Sequence, residues 1–143
     1  MAEDYITADF VTLEQAVQLQ EIGFDGFVWD CDYWYCTETN RPEPYFDGVY
    51  PSDTTDKYWY APTLGFARKW FSAVKGLVMG VSPRYSMDSE GKYGLNYIGV
   101  LYTSEGQYLH CSLAGTYEKA LSLIIDEAIK TVKENKYENS SDI

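Results

Sequence analysis

Tyr93-Gly-Leu-Asn-Tyr-Ile-Gly-Val-Leu-Tyr-Thr103, Ser104-Glu-Gly106 and Gln107-Tyr-Leu-His-Cys-Ser-Leu113 make two strand-like runs around a three-residue turn. Aromatic and β-branched residues fill the runs and a glycine closes the turn, which is the pattern of a β-hairpin. The period then changes. Tyr117, Ala120, Leu121, Ile124, Ile125, Ala128, Ile129 and Val132 recur at three- and four-residue spacing, predicting a helix from Thr116 to about Asn135. A hairpin followed by an amphipathic helix needs the helix to cover one face of the sheet.

Upstream, Leu77–Ser82 reads as another strand, bounded by Pro83. A helix is expected from Pro62-Thr63 to Gly76, with Thr63 as N-cap. Its core stripe would be Ala67, Trp70, Phe71 and Val74, and its polar stripe Arg68, Lys69, Ser72 and Lys75. A first helix is expected over Thr12–Ile22. Thr12 and Gln15 have capping-box spacing, Leu13, Ala16, Val17 and Gln20 share a side, and Gly23 suits the C′ position. Phe27–Thr37 and Lys57–Ala61 read as strands joined by a long loop, Glu38–Asp56, which contains Pro42, Pro44, Gly48 and Pro51. The order is α-β-β-α-β-β-β-α. The expected fold is one α+β domain over residues 1–143, two-layered, with an antiparallel β-sheet and the helices on one face. The polar tail 136–143 lies beyond it.

The 143 residues include 22 acids and 11 Lys or Arg, for a net charge of −11. The charge is unevenly placed. Residues 1–62 hold 13 acids and two bases, whereas residues 63–143 hold nine of each. An acidic surface repels phosphates, which argues against direct nucleic-acid binding and against an anionic membrane surface. No run approaches the roughly 20 apolar residues of a membrane span. The first ten residues have three acids and no base, unlike a signal or transit peptide. Three cysteines, an odd number, do not suggest a secreted disulfide framework, so a reducing cytoplasm is the expected compartment.

Candidate chemistry is sparse. Cys31, Cys36, Cys111 and His110 could in principle form a Cys3His zinc set. However, His110 and Cys111 are adjacent on a strand and point to opposite faces. Alternation groups Cys111 with Leu109 and Leu113 on the apolar face, leaving His110 on the outer one. No metal and no cofactor is therefore expected. There is no Gly-x-Ser-x-Gly elbow, P-loop or dinucleotide fingerprint. Asp30 and Asp32 share a strand face with Cα atoms about 6.6–7 Å apart. With Trp29 and Trp34 beside them, that spacing permits carboxylate chemistry on a glycan. The densest signal is aromatic. Eleven aromatics lie between Phe27 and Pro62, including Trp29, Trp34, Tyr45, Phe46, Tyr50 and Trp59, in the same segment that carries the acids. Tyr and Trp give large contact area at low entropic cost. Arg68 and Lys69, after the helix N-terminus at Thr63, could receive an anion.

The segment Tyr60-Ala-Pro-Thr-Leu-Gly-Phe-Ala-Arg-Lys-Trp70, the earlier Glu21-Ile-Gly-Phe-Asp25, and Thr116-Tyr-Glu-Lys-Ala-Leu through Glu127-Ala-Ile129 together resemble a family of small proteins encoded by bacteriophages and prophages of gut anaerobes. The resemblance spans roughly residues 12–134, and the loop Glu38–Asp56 is longer here than in that family. The family has no established activity, so the resemblance implies a context and carries over no functional residue. In that context the expectation is a non-enzymatic binding protein of the host cytoplasm. Its aromatic, acidic hairpin (Trp29, Asp30, Asp32, Trp34, Tyr45, Phe46, Tyr50, Trp59), with Arg68 and Lys69, would bind a host protein or sequester a small nucleotide-like signal. A homodimer would also use the surplus aromatic surface. The alternatives are a carbohydrate-binding or glycan-acting protein and a small structural component of virion assembly.

Overall fold

The computed structural model describes residues 10–25, 33–36, 43–44, 58–87 and 90–134. The elements are α1 (Leu13–Glu21), β1 (Tyr33–Cys36), β2 (Glu43–Pro44), β3 (Tyr58–Tyr60), α2 (Leu64–Trp70), a π-helical turn (Phe71–Lys75), β4 (Leu77–Met87), β5 (Tyr93–Thr103), β6 (Tyr108–Ala114) and α3 (Tyr117–Glu134). The class is α+β with antiparallel strands, as the sequence patterns predict. The described strands form two three-stranded sheets, ordered β2-β1-β3 and β4-β5-β6. The two-residue strand β2 is an addition within the expected loop 38–56. The chain divides into two compact units, residues 1–67 and 68–143.

In the first unit, α1 starts on the expected capping box. The Gln15 backbone N–H donates to Thr12 Oγ1 at 3.1 Å, and the Thr12 N–H donates to Gln15 Oε1 at 2.9 Å. Gly23 follows the helix at φ +105°, a conformation that disfavours any side chain. Ala16 and Leu19 are buried. Gln20 ties the helix to the sheet, because its Oε1 accepts the Tyr60 N–H at 2.8 Å. The segment before α1 is held twice. The Val11 N–H donates to Pro62 O at 3.1 Å, and the buried Tyr35 hydroxyl donates to Val11 O at 2.7 Å.

The second unit opens within α2, which does not continue as a regular α-helix to Gly76. It widens into the π-helical turn before Gly76 closes it at φ +67°. The wider turn changes which residues share a face. Trp70 and Phe71 stay buried, but Val74, expected in the core stripe, is rotated out and 47 % exposed. Lys75, expected on the polar side, lies five residues after Trp70 and brings its Nζ 5.8 Å from that ring. Strand β4 also departs from expectation, running through Pro83 to Met87. It is an edge strand, where a residue without an N–H costs no ladder bond if it faces outward.

Helix α3 packs on β4, β5 and β6. Leu77, Met79 and Leu101 are buried with Ala120, Leu121, Ile124, Ile125, Ala128 and Ile129 of the helix. The closest approach is at Gly99, where a Cβ would lie 2.5 Å from Ile124 Cγ1 and 3.0 Å from the Ala120 carbonyl oxygen. The absence of a side chain at Gly99 is what lets the helix settle onto the central strand.

Candidate functional site

The first aromatic hairpin is only partly described. Trp29, Asp30, Asp32, Tyr45, Phe46 and Tyr50 lie outside the described residues. Trp34 is in β1, paired with Tyr60 and Glu43. Trp59 is half-buried and pairs with Tyr35. Tyr35 is part of the core, and burial pushes its phenol up to about 12. Tyr33 meets Phe10 edge-on at 4.9 Å, and Phe24 meets Tyr60 at 6.3 Å. Several of the clustered aromatics are thus used within their own unit. Arg68 and Lys69 are both exposed on α2. A helix of seven residues provides little N-terminal field for an anion.

Most of the exposed aromatic and aliphatic surface that the structure describes is on the second sheet. Register fixes its two faces. Leu101 pairs with Met79 and His110, and Gly99 pairs with Val81 and Ser112, so these residues face α3. Val100 pairs with Gly80 and Cys111, Ile98 with Ser82 and Leu113, and Tyr102 with Val78 and Tyr108, so these face away from it. The outer face therefore carries Val78, Ile98, Val100, Tyr102, Tyr108 and Leu113. Tyr108 and Leu113 are the most open of the six, at 57 and 49 % exposed. Tyr102 and Tyr108 meet edge-on at 6.2 Å. The Tyr108 phenol, hydrogen-bonded to the Cys111 thiol, is held above its ordinary value. Toward the open end of β4 and β5 the same face turns polar, with Ser82, Arg84, Ser86 and Asn96, and the Asn96 amide donates to Ser86 Oγ at 3.0 Å.

His110 is on the opposite side from the one its neighbours suggested. Leu109, Cys111 and Leu113 look like the inward set, yet Cys111 and Leu113 are exposed and His110 faces the helix. The reason is pairing. β6 must follow the facing of β5, and β5 presents Gly99 and Leu101 to α3. His110 and Ser112 consequently meet Glu127 of α3. His110 Nε2 lies 3.1 Å from Ser112 Oγ, and His110 Nδ1 lies 3.7 Å from Glu127 Oε1. Sequence reading missed this group because Glu127 is 17 positions from His110 and only the helix packing unites them.

The chain matches no family model, no curated protein and no solved structure.

Among the described residues, no three His, Cys, Asp or Glu side chains gather in a metal-binding group, and none of the helices is long and apolar enough to cross a membrane. Every buried side-chain polar atom described has a hydrogen-bond partner.

Proposed function

We propose that the protein works by binding a protein partner, and that the outer face of β4-β5-β6 is its contact surface. One observation carries this reading. The open face of an antiparallel sheet is ordinarily polar, whereas this one is an apolar island of Val78, Ile98, Val100, Tyr102, Tyr108 and Leu113 beside a polar margin. An apolar centre with aromatic residues and a polar rim is the anatomy of a protein interface. Residues 68–143 carry nine acids and nine bases, so this unit has no net charge of its own. The acidic first 62 residues would add steering toward a basic partner. In the phage or prophage context, the partner would be a host protein in the cytoplasm.

The test compares the wild-type chain with a double variant, Val78→Lys and Leu113→Lys, both at exposed positions that tolerate the charge. Each is immobilised and exposed to extract of the expressing cell, and each is also sized in solution. The wild type should retain a protein that the double variant releases. If both retain the same proteins equally, the outer face is not the contact surface. If the wild type is a dimer that the double variant converts to monomer, and nothing else is retained, the face joins two copies of this chain and the partner-binding reading fails.

A further inference from the structure

The group at the margin of α3 has more chemistry than a surface ion pair. His110 and Ser112 are two residues apart on β6, so they stand on one face with Cα atoms about 6.6–7 Å apart. The imidazole uses its two nitrogens separately. Nδ1 faces Glu127 Oε1 at 3.7 Å and Nε2 faces Ser112 Oγ at 3.1 Å. At 3.7 Å the carboxylate is beyond hydrogen-bond length, but its charge still favours a proton on the facing Nδ1, and in that tautomer the Nε2 lone pair is directed at the serine hydroxyl. A nucleophile within hydrogen-bond reach of a base, with a third group orienting that base, is the signature of an activated serine.

The surroundings are consistent with a small acyl substrate. The His110 and Glu127 side chains are 40 and 32 % exposed, so the group is open on one side. Ala114 follows Ser112 on the same strand face, and Leu123 stands one helical turn before Glu127, both half-buried.

We infer that Ser112, His110 and Glu127 form an acyl-transfer site that hydrolyses small acyl esters. Ser112 Oγ attacks the acyl carbon while its proton passes to His110 Nε2. The bond to the alcohol oxygen breaks, and that oxygen takes the proton from Nε2. Water then attacks the acyl-serine, giving its proton to Nε2, and the acid leaves as Ser112 Oγ recovers the proton. Glu127 acts as a positioning residue that holds the ring. This inference is independent of the partner-binding reading, because it uses the helix side of the sheet.

The full chain is assayed with p-nitrophenyl acetate and butyrate and labelled with a fluorophosphonate, the labelled position being found by peptide mass. The label should fall on Ser112, and Ser112→Ala and His110→Asn should each abolish both labelling and hydrolysis. Glu127→Gln should lower kcat by about tenfold or more with KM unchanged, and Glu127→Asp should recover part of the loss. All variants should keep the wild-type far-ultraviolet circular dichroism. Free imidazole also cleaves these esters, so hydrolysis that survives Ser112→Ala would overturn the inference. So would a label at another residue, or a wild type no faster than Ser112→Ala.

Discussion

Gly99→Ala tests the packing on which the second unit depends. The new methyl would sit 2.5 Å from Ile124 Cγ1, 3.4 Å from Ile124 Cδ1 and 3.0 Å from the Ala120 carbonyl oxygen. Carbon contacts are optimal near 3.5–4.0 Å, so the helix and strand must separate by about 1 Å or Ile124 must change rotamer. Ile124 is fully buried and β-branched in a helix, which leaves it essentially one χ1 well. The Ala120 oxygen is backbone and has no rotamer to change. Overpacking of this kind costs about 1–3 kcal/mol. The lower entropy of an unfolded chain carrying Ala returns roughly 0.4–1 kcal/mol. The net is a loss of at most about 2.6 kcal/mol and centred near about 1.3 kcal/mol, which at the centre reads as a fall in Tm of roughly 5–10 °C for a unit of this size. Thermal and urea unfolding of the full chain, followed by circular dichroism, measures it. Gly94→Ala, on the same strand with nothing within 4 Å of its Cβ, is the control and should stay within about 0.5 kcal/mol of wild type. In an Ile124→Ala background the Gly99→Ala cost should shrink, because one of the two obstructing groups is gone. A Gly99→Ala protein as stable as wild type would show that α3 does not lie so close to β5.

The remaining predictions concern both units. Tyr35→Phe removes the 2.7 Å bond to Val11 O and should destabilise by about 1–3 kcal/mol, since a buried acceptor is left unpaired. The same residue predicts an alkaline limb. Its folded value of about 12 is above the ordinary 10, so its contribution is complete below pH 10 and is lost as pH rises from 10 through 12. Alkaline unfolding of Tyr35→Phe should lack that part of the wild-type slope, and identical slopes would refute the assignment. Val74→Asp should change stability by less than about 0.5 kcal/mol whereas Phe71→Ala should cost about 3–5 kcal/mol, by urea unfolding; equal costs would mean the helix stays α-helical to Gly76. The exposed Cys111 thiol should react with an aromatic disulfide reagent in the folded protein, and a Cys111→Ser chain with undiminished fast reaction would place that thiol elsewhere.

Much of the fold was legible in local patterns. The capping box of Thr12 and Gln15, the glycine after each of the first two helices and the long apolar stripe of α3 appear where spacing placed them. Each depends only on residues within a turn or two of one another. The candidate site was much less legible. The densest aromatic cluster drew attention to residues 27–62, but Tyr35 is core, Tyr33 packs on Phe10, and Trp29, Asp30, Asp32, Tyr45, Phe46 and Tyr50 lie outside the described residues. The outer face of β4-β5-β6 was overlooked because no short stretch contains it: Val78, Val100 and Leu113 come from three strands.

The amino-acid sequence by itself determined the α+β class, the capped first helix, the β5-β6 hairpin with the helix after it, and the acidic bias of the first 62 residues, since propensity, period and charge are properties of neighbouring residues. Only the tertiary structure decided which face of each strand lies under the helix. On β6 the more apolar set by composition is Leu109, Cys111 and Leu113, yet Cys111 and Leu113 face outward, as Ile98 and Val100 of β5 do. The physical reason is Gly99. Its missing Cβ admits α3 to the other face, and antiparallel pairing then obliges β6 to follow, turning His110 and Ser112 toward Glu127 and leaving the apolar residues uncovered by the helix.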